Sequence, residues 1–265
     1  MIGQLSSIGV VTRYIRLLAD RQEIFILYKG EDTMNTLLAI QIDFTTMLPY
    51  MNYFIEGAWM TLKLSMITVL LGCVIGFVAT LGKRSKYKIF NLLATLYTQI
   101  IRGTPILLQL MLIRYGLPAI GVPIPAIPYL DPDGKLTGCV LALGINSGAY
   151  VCEIFRAGLD SIDKGQTEAA RSLGLDAKQT MRFVILPQAI KTILPTLGNE
   201  FIMMIKESSL VSTLGIFDVM YTQKIIQSLT YRQFEPLIVI AVIYLIMTTT
   251  LTGLLGILER KLNNA

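Results

Sequence analysis

The chain has 265 residues, of which 53% are hydrophobic and only 15% charged, with a formal net charge of +5 and no histidine. A soluble domain of this size carries about a quarter charged residues, so the shortfall points to a bilayer, where charge is costly to hide. Without histidine the chain lacks the commonest metal ligand and the usual acid–base group near neutral pH. Cys73, Cys139 and Cys152 lie in apolar runs without metal-ligand spacing, which reads as three small buried hydrophobes.

In chain order, residues 1–45 form an N-terminal extension carrying Arg13, Arg16, Arg21 and Lys29. Arg13 and Arg16 interrupt its first apolar stretch, so no secretory signal peptide is expected. Ile8 to Leu27 suits an interfacial amphipathic helix, or the segment is an extension without a role. A first span is expected at 55–82, built on the 19 uncharged residues Leu64–Gly82, which reach about 28 Å as a helix. A second, 89–117, is broken by Arg102-Gly103-Thr104-Pro105. A third runs over 136–155, a fourth over 184–205 with Pro187 and Pro195, and a fifth over 236–258.

The connecting segments alternate in charge. Residues 83–88 hold four basic residues and no acid, 156–191 hold six basic residues, and the C-terminus ends basic. The 118–135 connection holds one lysine, two aspartates and five prolines, and 206–235 balances three basic residues against three acidic ones. The positive-inside rule puts 83–88, 156–191 and the C-terminus in the cytoplasm and the N-terminus outside. The expected class is an all-α integral membrane protein with five transmembrane helices and no role in binding nucleic acid.

The cytoplasmic segment 163–187 has its own grammar. Gly165 breaks the chain, and Thr167 to Leu173 is a strong short helix former starting near Gln166 or Thr167. Gly174 stands where a left-handed cap belongs, Asp176 to Gln179 resembles a capping box, and Pro187 closes or kinks the run. Ala169 and Ala170 let a partner approach the backbone, while Glu168 and Arg171 share a face that suits charges on that partner.

Glu168-Ala169-Ala170, Gly174 and Val184-Ile185-Leu186-Pro187 together resemble the EAA loop of ABC importer permeases, with Val184 replacing the family's isoleucine. Arg102-Gly-Thr-Pro105, Ala149-Tyr-Val-Cys-Glu-Ile-Phe-Arg-Ala-Gly158 and Leu197-Gly-Asn-Glu-Phe201 are similar to motifs of its polar amino acid branch, the glutamine, arginine and histidine permeases. The resemblance covers about residues 45 to 262. It implies the type I importer permease architecture, a bundle of five membrane helices plus cytoplasmic coupling helices, used as a homodimer or paired with a homologous permease. It implies cytoplasmic ATPase subunits that grip the loop at Glu168, Ala169, Ala170, Arg171 and Gly174. It also implies an extracytoplasmic substrate-binding protein and the inner membrane of a prokaryote. No cofactor is expected in this chain; ATP and Mg belong to the partner ATPase. Consistent with that, the sequence contains no G-x-x-x-x-G-K-[ST] phosphate loop. An ion-gradient-driven secondary transporter or channel is the alternative, though no internal repeat of the kind such proteins show is visible. A mere membrane anchor has little reason to carry Arg102, Glu153 and Glu200 within its spans.

Those residues and their polar neighbours are the candidate substrate path. Arg102 suits a carboxylate, or a structural role pairing with an acid or capping the carbonyls freed by Pro105. Glu153 suits a substrate ammonium, or an intrahelical pair with Arg156. Asn146, Ser147 and Tyr150 suit a polar ligand equally with interhelical hydrogen bonding, and Asn199 and Glu200 invite the same two readings.

Overall fold

The computed structural model describes residues 42–127, 131 and 133–264. The expected Ile8–Leu27 helix and the prolines at 128 and 132 lie outside the described residues. Among the described residues the secondary structure is helical apart from one isolated antiparallel bridge, Ile127 with Asp131.

A 3-10 helix, Phe44–Tyr50, leads into α1, Met51–Lys83. Next come α2, Lys88–Arg102, and α3, Ile106–Met111, the latter prolonged by a π turn at Leu112–Gly116 and a last turn at Leu117–Ala119. The remaining helices are α4, Lys135–Asp160; α5, Lys164–Ser172; α6, Ala177–Thr180; α7, Leu186–Glu207; α8, Tyr221–Thr230; and α9, Phe234–Asn264.

Among the described residues three helices are long and apolar enough to cross a bilayer: α1 with its leading 3-10 turn, α4 and α9. The second expected span is present as two pieces, α2 and the segment from α3 to Ala119, which meet at 106° across residues 103–105. Pro105 lacks the N–H a continuous helix would use, which is why the break falls there. The fourth expected span, α7, does not pass on apolarity, because Lys191, Glu200, Lys206 and Glu207 lie within it. The helical run that carries it starts earlier than 184, because Ala177–Thr180 and a π turn over Met181–Ile185 lead into it without a break, and Pro187 falls just after that π turn.

The core is organised around the α1–α4 seam. A Cβ added to Gly72 would sit 2.7 Å from Ser147 Oγ, and one added to Gly76 would sit 2.7 Å from Val151 Cγ1 and 2.9 Å from the Cys152 amide nitrogen. Hydrogen in place of a side chain lets the two backbones approach closely, the small-residue logic of membrane helix packing. Above the seam, Leu64, Val69, Leu110, Leu143, Met204, Val211 and Leu214 form one buried apolar cluster. A second cluster, Met47, Phe54, Val219, Ile226 and Ile240, ties the 3-10 turn, α1 and α8 to α9.

Candidate functional site

The segment 163–180 is a pair of capped helices. Asp163 Oδ1 accepts from the Gly165 amide at 2.7 Å, so α5 starts at Lys164 and Gly165 lies inside its first turn rather than breaking the chain; the start expected at Gln166 or Thr167 is two or three residues late. Gly174 closes α5 with φ +86°, the left-handed conformation that glycine adopts without Cβ strain. The Asp176 carboxylate accepts from the Gln179 amide at 2.8 Å and the Gln179 side chain accepts from the Asp176 amide at 2.8 Å, a reciprocal capping box. Ala170 is buried against the hairpin, whereas Glu168, Ala169, Arg171 and Gly174 are exposed. The hairpin therefore presents Glu168, Ala169 and Arg171 outward on a scaffold stiffened at both ends.

Deeper in the bundle the expected path residues fall into two groups. The first is a polar layer at mid-span. Asn146 Nδ2 donates to Gln109 Oε1 at 2.9 Å, and Ser147 Oγ donates to Glu200 Oε1 at 2.8 Å. Asn146, Ser147 and Gln109 are buried. The amide of Gln109 in turn lies 2.7 Å from the Ile101 carbonyl and 3.1 Å from that of Thr104, while Thr104 Oγ1 donates to the Ile100 carbonyl at 2.9 Å. The carbonyls freed at the α2–α3 break are thus satisfied by Gln109 and Thr104, not by Arg102.

The second group lies nearer the basic end. Arg102 forms no ion pair; its guanidinium stands over the Tyr150 ring, 5.4 Å from the centroid. This corrects the structural role offered for Arg102: it neither pairs with a carboxylate nor caps a carbonyl. Glu153 is gripped twice, by Lys83 from the end of α1 and by Arg156 one turn on, the latter at 2.8 Å. Arg156 also reaches Asp160 at 3.2 Å, and Arg84 reaches Asp160 at 2.8 Å. A polar cavity of about 440 Å³ opens between these elements, lined by Lys83, Thr95, Thr98, Gln99, Arg102 and Glu153. Asn199 joins neither group: it is exposed on α7, turned about 100° from Glu200 and its Ser147 contact.

Two residues that matter here were not expected. Gln109 is an amide in an apolar run, four residues past a helix-breaking proline, and that spacing was the available signal. Lys83 reads in sequence as one of a basic run; its turn toward Glu153 depends on the α1–α4 seam. No cluster able to hold a metal ion occurs among the described residues.

Outside the spans, two carboxyl groups are electrostatically distinct. Burial opposes ionisation of Asp131, but hydrogen bonds from Thr137 and the amides of Leu136 and Lys135, which it caps at the start of α4, outweigh that and hold its pKa below the ordinary value. Burial pushes Asp218 up to about 7, although the Tyr221 amide donates to its Oδ1 at 2.8 Å.

Comparison with known proteins adds a second line of observation. Residues 68–264 match the family described as binding-protein-dependent transport system inner membrane component. The chain is 38% identical over 226 residues to the arginine transport system permease protein ArtQ of Bacillus subtilis, covering 85% of this chain and 99% of that one. It is 37% identical over 223 residues to the glutamine transport system permease protein GlnP of Escherichia coli, covering 84% and 99%. Among solved structures, an amino acid ABC transporter crystallised with histidines superposes with a TM-score of 0.78 at 50% identity, covering 84% of this chain and all of that one. The MetNI methionine ABC transporter superposes with a TM-score of 0.62 at 18% identity over 81% of this chain, a likeness of fold.

Proposed function

We infer that this chain, which belongs to the family of binding-protein-dependent transport system inner membrane components, is the permease subunit of an ATP-driven importer for a polar amino acid. The observation that carries the reading is the doubly capped hairpin between α4 and α7, a compact helical pair on the basic side of a membrane bundle. A short helix is unstable alone, so caps at both ends and a buried Ala170 keep it formed while Glu168, Ala169 and Arg171 remain available to an ATPase subunit. ATP and Mg are held by that partner. When the ATPases close, they displace the hairpin, and the π turn at Met181–Ile185 passes the movement directly into α7. Because α7 carries Glu200, bonded to Ser147, the movement reaches the polar layer and changes which side of the bundle is open.

The substrate is read by charge. Arg102, free of any acid partner, suits the α-carboxylate in a forked contact. Glu153, held between Lys83 and Arg156, suits an ammonium group once one of its partners swings away. Asn146, Ser147, Tyr150 and Glu200 line the route above, while Asn199 takes no part from its exposed side.

A second permease copy or a homologous permease completes the pathway. Only 6% of the apolar window of α9 is buried in this chain, against 61% for α4. Thr248, Thr249, Thr252, Gly253 and Gly256 line a groove of about 550 Å³ along it, small residues that suit a second helix. An extracytoplasmic receptor delivers substrate to the opposite face.

Uptake in proteoliposomes tests the reading. With ATP inside, receptor outside and proton and sodium gradients collapsed, the assembled complex accumulates arginine, glutamine or histidine. Uptake that requires an ion gradient and ignores ATP would assign the chain to the secondary transporters.

A further inference from the structure

We infer that the outer end of α1 is a binding site for a phospholipid whose headgroup carries both a primary ammonium and a phosphate, with phosphatidylethanolamine as the type case. A cleft of about 460 Å³ opens there, walled by Glu56, Trp59, Met60 and Lys63 of α1, by Asp133 and Lys135 before and within the first turn of α4, and by Phe217. Its depth in the membrane follows from helix geometry. Lys63 and Lys83 bracket the uncharged part of α1, and the 20 helical steps from one to the other rise about 30 Å, the thickness of the hydrocarbon layer. Lys63 and the cleft around it therefore stand at headgroup level in the leaflet opposite the basic α1–α2 turn.

The face of α1 that enters the cleft continues downward as an apolar stripe. Positions 56, 60, 63, 67, 70 and 74 recur at helical spacing and share one side. Ile67, Leu70 and Val74 are 53%, 59% and 63% exposed, uncovered by any other element among the described residues. A polar cleft set over an uncovered apolar groove has the two-part shape of a lipid. A soluble zwitterion such as a free amino acid has no use for the lower part.

The charges select the headgroup. Among the described residues Glu56 makes no hydrogen bond or ion pair, and Lys63 has no acid partner but lies 5.3 Å from the Trp59 ring centroid. Lys135 and Asp133 neutralise one another at 3.1 Å. Asp131, at the floor, is committed to the backbone amides of Leu136 and Thr137. One free carboxylate and one free ammonium thus remain, the reverse image of an ethanolamine phosphate. A primary ammonium donates hydrogen bonds to Glu56, which a choline cannot do; a glycerol headgroup brings no cation at all. Trp59, 59% exposed, occupies the level of an interfacial aromatic belt. The site requires only that the chain be embedded with α1 across the bilayer, and stands whether or not the transport reading holds.

Native mass spectrometry of the full chain tests it. The unaltered protein, offered equal amounts of palmitoyl-oleoyl phosphatidylethanolamine, phosphatidylcholine and phosphatidylglycerol, retains the first over each of the others by about fivefold, the most one partly exposed ion pair supports. Glu56→Gln lowers ethanolamine lipid to the choline level and leaves choline lipid unchanged. Equal retention of the three lipids by the unaltered chain, preference for the glycerol lipid, or an undiminished preference in Glu56→Gln each overturns the site. So does displacement of the bound lipid by free arginine or glutamine, which would make the cleft a solute site, or by a second permease chain, which would make it a protein interface.

Discussion

Helices α4 and α9 are both long enough to cross the membrane, yet they are held in opposite ways. α4 is packed by other helices over most of its length, with Tyr150, Arg156, Ala157 and Asp160 exposed. Gly72 and Gly76 bring α1 onto it, Tyr97 of α2 donates to its Ile145 carbonyl at 2.6 Å, Gln109 of α3 meets Asn146, and Glu200 of α7 meets Ser147. Its Asn146, Ser147 and Glu153 side chains have partners on other helices. α9 rests on the chain along one edge, through Ile240 and the residues packed around it and through Leu255 beside Gly198, and it leaves Leu245, Ile246, Leu254 and Ile257 exposed. The contrast teaches that the described residues build their own centre and leave one side open: α4 is packed within the bundle, and α9 offers an uncovered apolar surface that suits a second helix.

Substitutions that enlarge a glycine break the two helices apart most sharply. Gly76→Leu drives a side chain into Val151 and the Cys152 backbone, at a cost of about 3 kcal/mol or more, so folded yield in detergent falls steeply. At Gly253 on α9 an added Cβ meets nothing within 4 Å, so Gly253→Leu is the contrasting variant. It leaves the melting temperature of the lone subunit unchanged and instead weakens pairing, measured by crosslinking or sedimentation in nanodiscs. Equal losses of stability from both would erase the distinction.

A smaller effect comes from the polar layer. Asn146→Leu strips Gln109 of its donor and leaves a buried acceptor unpaired, costing about 1–3 kcal/mol. Uptake kinetics resolve its role: a raised KM with intact assembly places the residue on the substrate route, whereas a lower melting temperature with unchanged KM leaves it a structural bond.

The mildest test concerns the seam beside α9. Asp218 is buried and its Oδ2 has no partner. Burial lifts its pKa to about 7 from an ordinary value of 3.8. A carboxyl group raised in this way keeps its proton in the folded state, so over the interval from about pH 4 to pH 7 the unfolded chain binds fewer protons than the folded one and stability falls as pH rises. Asp218→Asn retains the acceptor that caps the Tyr221 amide and removes the charge. The variant's melting temperature at pH 8 exceeds that of the unaltered protein, and the two converge near pH 4.

What could be read from the residues alone was local. Gly174, Asp176 and Gln179 announce a turn and a cap because those conformations depend on neighbours within four positions, and the structure forms both. The break at 102–105 was visible for the same reason. The angle of that break, 106°, was not, because packing against α4 determines it. Partnership across helices was equally hidden. Glu153 could be matched to Arg156 by spacing, but Lys83 is 70 positions away and reaches Glu153 only after α1 and α4 have docked. Asn199 and Glu200 are adjacent and looked alike, yet one residue turns a helix by about 100°, so one side chain meets Ser147 and the other faces outward.

The central claim is that work enters the bundle through the α5–α6 hairpin, and the most direct measurement is co-purification of the partner ATPase with hairpin variants, read alongside substrate-stimulated ATP hydrolysis. Glu168→Lys reverses an exposed charge on a surface residue that bonds to nothing inside the chain, so the permease itself folds and inserts as before. The account predicts that this variant, and Gly174→Val, which strains the left-handed cap, recover the ATPase in much reduced amount and lose stimulation by substrate. Full recovery of the ATPase with undiminished stimulation in both variants would contradict it.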